Sequence, residues 1–568
     1  MVKEGYNMLN FKKYIKEEIG KIGIKLDNVD VVRPPKEEMG DFAIPCFTLD
    51  IEDTKNPNEK AKFILEKLNI NENIVSDVKV IGPYLNFTIN RDFLAKETLE
   101  TISLEENKYG SSGVGNGKNL LIEHTSINPN ASPHIGRSRN SIIGDFLVRL
   151  YKFEGYNVEA NYFINDIGKQ ISMLLVGVEK LDNIDTITFG DMLKLYIEIN
   201  DISKTDKAVE EKIFYYLHEL ENGNEEVRNK FRRITDICVN GQQEIFKKMD
   251  IKWDKFTHES DFVFDNKTDE ILVNLKEKGR LCEDENGRLY VNLSGYDIPT
   301  KSPVLVLTRE DKTSLYPLRD IAYTISKLEQ NDENNIIVLG EDQEVYMQQI
   351  AATLDILGYS APKLVSYDFV LLNGDKMATR EGKVVLLEDF IEKAKAKLSM
   401  TIKEKGANLS DDEIADLAAS CIKYNMLNVN RKKTVNFDLE SATDFQGNSA
   451  IYLLYNYARI NSILEKANYC GFDEDVYKFK EELEYSLINS LYDFPEVIDN
   501  SYNTQESIII TNYLYDVSQK FARYYKNISI LKEEDELVRQ SRLALLHSTK
   551  TVLANGMKIL GINPVQKL

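Results

Sequence analysis

The feature that most limits the fold of this chain is an alternation of short apolar runs and helical stretches that begins at Asn119. The run NLLIEHTS is followed by HIGRSRNSIIGDFLVRLYKFEGY and then by NVEANYFIND, so strand, helix and strand fit within about 45 residues. Parallel strands joined by a helix form a right-handed crossover. The pattern predicts a doubly wound α/β domain with a parallel sheet, to which PVLVLTR, NNIIVLGED and KLVSYDFVLLNG add strands.

The segments on either side of this region have different patterns. Residues 1–112 combine amphipathic helical runs with a short strand, GPYLNF, which predicts a small α/β module. We place the α/β domain at 118–400. A charged helical stretch near 180–250 predicts an insertion into this domain. Long helical patterns replace strand-like runs after that point, so 401–568 is expected to be all-α.

Composition excludes several classes of protein. The 568 residues include 71 basic and 92 acidic side chains, for a net charge of -21, which disfavours generic binding to nucleic acid because phosphate neutralisation supplies most of that affinity. No run approaches the ~18 apolar residues of a membrane span, and the start has no apolar signal core. Five scattered cysteines and five histidines fit neither a disulfide framework nor a zinc site. We expect a cytoplasmic protein without membrane attachment or a protein-bound metal.

Two segments have the composition of a phosphate-binding site. His134 and Gly136 open a helix whose free N–H groups can bind an anion, and an imidazole there can donate to a phosphate oxygen. In NGDKMATREGK, Lys376, Thr379 and Arg380 follow a strand in a Gly-flanked loop, where they could close over phosphates. Each motif alone also fits an ordinary surface turn. The prediction of nucleotide chemistry therefore depends on both.

Together these segments resemble the HIGH and KMSKS signatures of class I aminoacyl-tRNA synthetases. GEDQEVYMQQIAATLDILG resembles the G-x-D-x-x-x-H segment of that class, with Tyr346 where histidine is usual. Arg137 replaces the last histidine of the first signature, and Glu381 replaces a lysine that is common in the second. The resemblance implies ATP-binding residues His134, Gly136, Gly340, Asp342 and Lys376. It implies a catalytic set of His134, Gly136, Arg137, Lys376, Met377, Thr379 and Arg380.

The resemblance narrows to the arginyl-tRNA synthetase family and covers nearly the whole chain. It is carried by GDFA, GPYLNF, EHTSINPNASPHIGRSRNSIIGD, NYFINDIGKQI, SLYPLRDIAY, KMATREG, FQGNSAIYLLYNYARINSIL and the last 27 residues from RLALLHSTK onward. It implies an additional N-terminal tRNA-binding domain, a Rossmann-like catalytic domain with a parallel sheet, and an all-α anticodon-binding bundle. The implied partners are L-arginine, the arginine tRNA and ATP as substrate with associated Mg²⁺, and the implied state is a monomer.

A site for arginine has a clear chemical requirement. A guanidinium is permanently charged, planar and rich in donors, so it needs carboxylates and oriented acceptors. Glu123 closes one predicted strand, while Tyr316 and Asp320 lie one helical turn apart and can face the same cleft. Each residue alone also fits a surface acid or a core aromatic. The resemblance implies an arginine site formed by Glu123, Ser126, Asn128, Tyr316, Asp320 and Gln343.

A helical stripe in AIYLLYNYARINSIL could contact RNA. Tyr452, Tyr455 and Arg459 recur on one helix face, where they could either stack unpaired bases or fill a bundle core, and spacing alone leaves both open. The resemblance implies anticodon contacts by Tyr455 and Arg459, with Tyr452, Tyr525 and Leu568 as further candidates. It also implies that Asn86 approaches the D-loop.

The implied reaction joins arginine to the α-phosphate of ATP, releases pyrophosphate, and transfers the arginyl group to the terminal ribose of the tRNA. The substrate carboxylate is the nucleophile, so positioning and charge stabilisation should dominate. Members of this family need bound tRNA for efficient activation, which we expect here. The alternatives are another class I synthetase, such as a glutamyl or cysteinyl enzyme, and a non-catalytic tRNA-binding paralogue, which Arg137 and Glu381 would suit.

Overall fold

The computed structural model describes residues 8–26, 29–51, 54–130, 132–180, 187–262, 267–330, 334–372, 375–376, 385–404, 406, 409–471 and 477–568. The N-terminal part combines helices with an antiparallel sheet. Its elements are α1 (Phe11–Lys21), β1 (Phe42–Pro45), α2 (Pro57–Lys67), β2 (Val75–Ile81), β3 (Tyr84–Ile89) and α3 (Arg91–Glu105). Each helix follows an asparagine whose side-chain oxygen accepts an N–H of the first turn, namely Asn10, Asn56 and Asn90. The strand order is β1-β3-β2, so β3 is central.

The next part of the chain alternates strands and helices, as the sequence predicts. Its elements are β4 (Asn119–Glu123), α4 (Ile135–Phe153), β5 (Asn157–Ile164), α5 (Lys169–Val178), α6 (Phe189–Ile202), α7 (Lys207–Glu221), α8 (Glu225–Lys247), β6 (Lys255–His258), α9 (Lys267–Glu277), β7 (Leu281–Glu283), β8 (Leu289–Asn292), β9 (Val304–Val306), α10 (Tyr316–Gln330), β10 (Asn335–Gly340), α11 (Glu344–Leu357), β11 (Lys363–Tyr367), β12 (Val370–Leu372) and β13 (Asp375–Lys376).

A parallel sheet in the order β11-β10-β4-β5-β6 forms the centre of this part. The chain runs from β4 to β5 on one side and later returns to β10 on the other side of β4. In open α/β sheets, ligands bind beyond the carboxyl ends of the strands where the strand order reverses. The crevice after β4 and β10 is therefore the place where the topology favours a site.

The inserted helices and one predicted strand have their own surroundings. Helices α5 to α8 enclose a separate apolar core that includes Leu174, Met192 and Phe231. The prediction that PVLVLTR joins the parallel sheet is wrong. Its strand, β9, pairs antiparallel with β8 in a separate sheet of order β7-β8-β9. A short apolar run shows that a strand forms but does not identify its pairing partner.

The C-terminal part is predominantly helical. Its elements are α12 (Leu387–Glu404), α13 (Asp411–Leu427), β14 (Val435–Phe437), α14 (Leu439–Ala442), α15 (Ala450–Lys466), α16 (Glu482–Tyr492), α17 (Phe494–Thr504), α18 (Ser507–Asn527) and α19 (Glu536–Ile559). Strand β14 pairs in parallel with β12, and β12 pairs antiparallel with β13. A strand of the C-terminal part is therefore joined, through β12, to the strand that carries Lys376.

The N-terminal part packs against the helical part. Arg91 donates two hydrogen bonds of 2.6 Å to Glu482, and Arg33 forms a 2.5 Å ion pair with Asp493. A cavity of about 870 Å³ lies between the two parts, beside these ion pairs. Within the described ranges, no helix is both long enough and apolar enough to cross a membrane.

Candidate active site

The backbone turns sharply where β4 ends at the crevice. Thr125 and Ser126 have φ values of 80° and 40°, a region that residues other than glycine rarely adopt. The Asn140 side chain holds this turn, because its oxygen accepts the Thr125 N–H at 2.5 Å and its amide donates to the Val338 carbonyl at 2.7 Å. Backbone strain of this kind clusters at functional sites. Here it turns the residues after Glu123 across the carboxyl edge of the sheet.

A cavity of about 260 Å³ opens at this edge, next to the ends of β4 and β10. It is lined by every side chain that the resemblance assigns to arginine binding: Glu123, Ser126, Asn128, Tyr316, Asp320 and Gln343. Glu123 ends β4, while Tyr316 begins α10 and Asp320 lies one turn later on the same helix. The fold thus brings together residues that are as much as 220 positions apart in the sequence.

Two ion pairs at the cavity already join acidic and basic side chains. Glu123 lies 2.5 Å from the ammonium of Lys327, and both side chains are 5% exposed. Glu259, which also lines the cavity, forms a 2.6 Å pair with Arg319. Both pairs are buried, so each acid is largely neutralised by its partner.

Asp320 has a different environment. Among the described residues, no Lys or Arg lies within ion-pair distance of its carboxylate, which instead accepts a hydrogen bond from the Tyr346 hydroxyl. Burial, with repulsion from Glu259 and Glu123, raises the pKa of Asp320 to about 7. A cation entering the cavity would therefore find one carboxylate that has no cationic partner.

Lys327, Glu259, Tyr323 and Tyr346 line the cavity but were not among the predicted arginine-site residues. Lys327 lies seven residues after Asp320, a spacing that places both on one helix face, so helical periodicity could have found it. Glu259 directly follows β6, and a carboxylate after a strand of the parallel sheet is a comparable signal.

His134 stands at the start of α4, as predicted. It occupies the N-cap position without a side-chain capping bond, and its Nδ1 is buried with no hydrogen-bond partner in the described part of the chain. Burial, with the nearby Arg137, lowers the pKa of His134 to about 4. The imidazole is therefore neutral at physiological pH and has a free ring nitrogen beside the helix N-terminus, where an anion is favoured.

The chain just after the second phosphate-type segment contacts the first segment. The Ile135 N–H donates to the Val385 carbonyl at 3.2 Å, and the Leu387 N–H donates to the Pro133 carbonyl at 2.9 Å. The chain that follows the second segment thus runs beside His134. The sequence places Lys376 in a loop, but its backbone belongs to β13, opposite Leu371. The predicted residues Met377, Thr379 and Arg380, and the side chain of Lys376, lie outside the described residues.

Gly340 and Asp342 lie just past the neighbouring strand. Gly340 ends β10, and a Cβ there would lie 2.5 Å from an Asp342 carboxylate oxygen, so a larger residue would displace that side chain. Asp342 is exposed and accepts a 2.8 Å hydrogen bond from Gln343. Arg137 lies on the first turn of α4, where burial lowers its pKa. These residues border the same carboxyl edge as His134.

Comparison with known families agrees with this arrangement along the chain. Residues 98–439 match the model of the class I (R) tRNA synthetase catalytic domain. Residues 9–89 match the arginyl tRNA synthetase N-terminal domain, and residues 453–568 match the DALR anticodon-binding domain. The arginine–tRNA ligase of Methanocaldococcus jannaschii is 34% identical over 98% of both chains.

The chain belongs to the arginyl-tRNA synthetase family. The arginine–tRNA ligase of Clostridium kluyveri is 30% identical over 99% of this chain and 100% of that protein. The Thermus thermophilus arginyl-tRNA synthetase structure is 23% identical, with a TM-score of 0.84 over 98% of this chain and 99% of that one. The latter shows a shared fold. The predicted class, a Rossmann-like domain with an N-terminal α/β module and a helical C-terminal bundle, is confirmed.

The predicted anticodon residues form a second cluster within the family's C-terminal domain. The Arg459 guanidinium lies 4.5 Å from the ring centre of Tyr455 and 5.1 Å from that of Tyr525. These three residues line a cavity of about 270 Å³, and Leu568 lines it as well. Tyr452 lies apart from this cluster and packs against Tyr515 at 5.4 Å. The arrangement leaves two tyrosine rings partly exposed beside a cation.

Asn86 lies in the N-terminal sheet, and its approach to the D-loop remains a prediction. Its side chain is 5% exposed and its amide donates to the Tyr84 carbonyl at 3.4 Å. Asn86 lies in β3, the central strand, where it is paired with Ala43 on one side and Lys79 on the other. Leu85 and Phe87 pack on the module core, so Asn86 lies on the opposite face of the sheet. Tyr84 and Phe47 are the exposed aromatic residues nearby, with ring centres 6.0 Å apart.

Proposed function

We propose that this chain ligates L-arginine to its cognate tRNA through an arginyl-adenylate, and that the 260 Å³ cavity binds the arginine side chain. The observation that carries the proposal is Asp320, a carboxylate without a cationic partner among the described residues of a site where the other acids are paired. A guanidinium supplies the missing charge in a form that cannot lose its proton.

The neighbouring side chains suit the rest of the amino acid. Tyr316 lies one turn before Asp320 and is 55% exposed, so it can cover the guanidinium plane. Glu123 and Asn128 lie towards the β4 end of the cavity, where the α-ammonium would sit next to the nucleotide. Ser126 and Gln343 supply further polar atoms around the substrate backbone.

ATP would lie at the α4 end of the crevice. The neutral His134 ring and the N–H groups of the first turn of α4 would donate to the α- and β-phosphates, while Lys376, with Thr379 and Arg380, would neutralise the departing pyrophosphate. Within the described ranges, no three His, Cys, Asp or Glu side chains lie close enough to form a metal site. Mg²⁺ would be held mainly by the oxygens of ATP.

The mechanism needs little proton transfer from the protein. The substrate carboxylate attacks the α-phosphate, and the protein contributes by holding both reactants in line and by stabilising charge on the phosphates. The acyl group then passes to the terminal ribose of a tRNA whose anticodon stacks on Tyr455 and Tyr525. We further propose that the chain acts as a cytoplasmic monomer and needs tRNA for activation.

The decisive experiment is arginine-dependent exchange of labelled pyrophosphate into ATP, with and without tRNA. Exchange that requires arginine and increases with cognate tRNA supports the ligase. No exchange in the presence of cognate tRNA would instead support the non-catalytic paralogue that the differences at Arg137 and Glu381 suggest.

A substitution at Asp320 tests the arginine assignment. Asp320→Ala should raise KM for arginine by more than a hundredfold, equivalent to about 3 kcal/mol, while KM for ATP changes little. Glu329→Gln is the matched control, since Glu329 lies on the same helix and forms an exposed ion pair with Lys267. Equal effects of Asp320→Ala on both substrates would remove this residue from the arginine site.

A further inference from the structure

Arg139 on α4 is a buried cation with an unusual set of partners. The residue is 0% exposed, and among the described residues its terminal guanidinium nitrogens donate to backbone carbonyls alone, while its Nε has no partner there. One terminal nitrogen lies 2.5 Å from the carbonyl oxygen of Asp368, 3.4 Å from the carbonyl oxygen of Phe369 and 2.9 Å from the carbonyl oxygen of Lys433. The other nitrogen lies 3.2 Å from the Asn430 oxygen. One side chain thus joins α4 to two separate segments of the chain.

The burial of this charge calls for an explanation. No carboxylate in the described part of the chain lies within ion-pair distance of Arg139, and burial lowers its pKa to about 10, so it is still charged at neutral pH. Removing a cation from water is costly, and an apolar side chain could fill the same volume without that cost. The charge-assisted bonds to carbonyls therefore have a role beyond filling space, since their geometry fixes specific backbone atoms.

The first segment that Arg139 holds leads directly to Lys376. Asp368 and Phe369 immediately precede β12, and β12 pairs with β13, where Leu371 lies opposite Lys376. The bonds from Arg139 therefore set the position of this strand pair relative to α4. His134 begins the same helix, one turn before Arg139.

The second segment connects the site to the helical part. Residues 428–434 link α13 to β14, and β14 pairs with β12 through Val370 and Val435. The Arg431 side chain donates to the Ser366 carbonyl at 3.0 Å, and Thr434 donates to the Asp368 carboxylate. The connector and the strand before Lys376 are therefore bonded to each other as well as to Arg139.

We infer that Arg139 is a positioning residue for the nucleotide step: it holds the strand pair that carries Lys376 at a fixed distance from His134, and it ties both to the connector from α13. This role rests on the proposed ligase function. It predicts that loss of the bonds weakens the ATP-dependent chemistry without weakening arginine binding. If Arg139 had a purely structural role, its loss would lower stability and would change the kinetic parameters for both substrates to the same extent.

The test compares Arg139→Lys and Arg139→Gln with Arg149→Gln. Lysine keeps the charge but ends in one nitrogen, so it cannot supply at once all the bonds that the two guanidinium nitrogens make to the Asp368, Lys433 and Asn430 carbonyls. Arg149 is the matched control, since it lies on the same helix and pairs with Asp145 at 2.8 Å and with Asp250 at 3.0 Å, away from β12. Thermal unfolding of all three variants measures their loss of stability, so that kinetic effects can be compared between variants that are destabilised to a similar extent.

In pyrophosphate exchange with tRNA present, both Arg139 variants should show at least a tenfold loss of kcat/KM for ATP, with KM for arginine within about twofold of wild type. Arg149→Gln should show neither effect at a similar loss of stability. Proportional changes for both substrates, or the same change in Arg149→Gln, would overturn the inference.

Hydrogen–deuterium exchange of the free protein provides a measurement that does not depend on activity. Peptides that cover 366–372 and 430–437 should exchange faster in both Arg139 variants, and unchanged exchange there would overturn the inference. Arg149→Gln should leave these peptides protected. If the wild type catalyses no arginine-dependent pyrophosphate exchange, the ligase proposal fails. Faster hydrogen–deuterium exchange in the Arg139 variants would still establish that Arg139 holds the two segments.

Discussion

The hydroxyl of Tyr346 donates a hydrogen bond to the carboxylate of Asp320, across the space between α11 and α10. In the segment that resembles the class I G-x-D-x-x-x-H pattern, Tyr346 stands at the histidine position. A tyrosine keeps this donor neutral, because burial and then the neighbouring Asp320 carboxylate raise the pKa of Tyr346. Asp320 is thereby oriented without being neutralised, which leaves its charge for a substrate.

The first prediction concerns the pH dependence of arginine binding. Burial raises the pKa of Asp320 to about 7, so in the free protein the carboxyl is protonated below that pH and ionised above it. A guanidinium binds the ionised form, so KM for arginine should fall about tenfold between pH 6 and pH 8 and level off above. Pyrophosphate exchange at several pH values, with tRNA saturating, measures this.

Asp320→Asn is the control for that profile, because it cannot titrate. Its KM for arginine should be high at every pH and flat from pH 6 to pH 8. A wild-type KM that is also flat over this range would show that Asp320 does not titrate near pH 7. The free protein should also lose stability as pH rises towards 7, since the unfolded state ionises this carboxyl at a lower pH than the folded state does.

Tyr346→Phe removes the donor to Asp320. The carboxylate loses a hydrogen bond to its charged form, so its pKa should rise further. Arginine binding at pH 7 should weaken by about 1–2 kcal/mol, so KM for arginine should increase roughly fivefold to thirtyfold. Tyr296→Phe is the matched control, because Tyr296 donates at 2.5 Å to Asp355 on the exposed side of the same helix, α11. An equal effect of both variants would contradict a specific role for Tyr346.

Lys327→Met should unfold more easily than wild type. It leaves Glu123 buried without its cation, which costs about 3–5 kcal/mol in comparable buried pairs. Urea unfolding measures this, and Lys267→Met, which breaks an exposed pair with Glu329, should cost under about 1 kcal/mol. Adding Glu123→Gln to Lys327→Met should recover most of the stability. No recovery would mean that lost packing, not the unpaired charge, causes the effect.

Arg459→Gln should weaken tRNA binding selectively. The guanidinium lies against the rings of Tyr455 and Tyr525, and base stacking on such groups contributes about 1–3 kcal/mol per base. KM for tRNA in aminoacylation should therefore rise at least fivefold, with KM for ATP unchanged. Arg539→Gln, on α19 and paired with Glu536, is the control. Unchanged KM for tRNA in Arg459→Gln would exclude this cluster from the anticodon site.

Local patterns in the sequence were sufficient for the type of most elements. Apolar runs and helical periodicity placed β4, α4 and β5, and their order implied a parallel crossover because that connection has one favoured hand. The motif around His134 could be assigned to a helix start for a similar reason, since the turn and the helix are adjacent in sequence. The six residues predicted around arginine also line one cavity.

What the sequence by itself determined is most of the elements, the family and the chemical types of the site residues, because these depend on neighbouring positions and on long ordered motifs. Only the tertiary structure decided which groups meet: Lys327 with Glu123, Arg139 with the Asp368 carbonyl, and β9 with β8 instead of the parallel sheet. Such pairings join residues far apart in the chain, and they depend on which faces pack together and on which polar groups lose water, neither of which a local pattern contains.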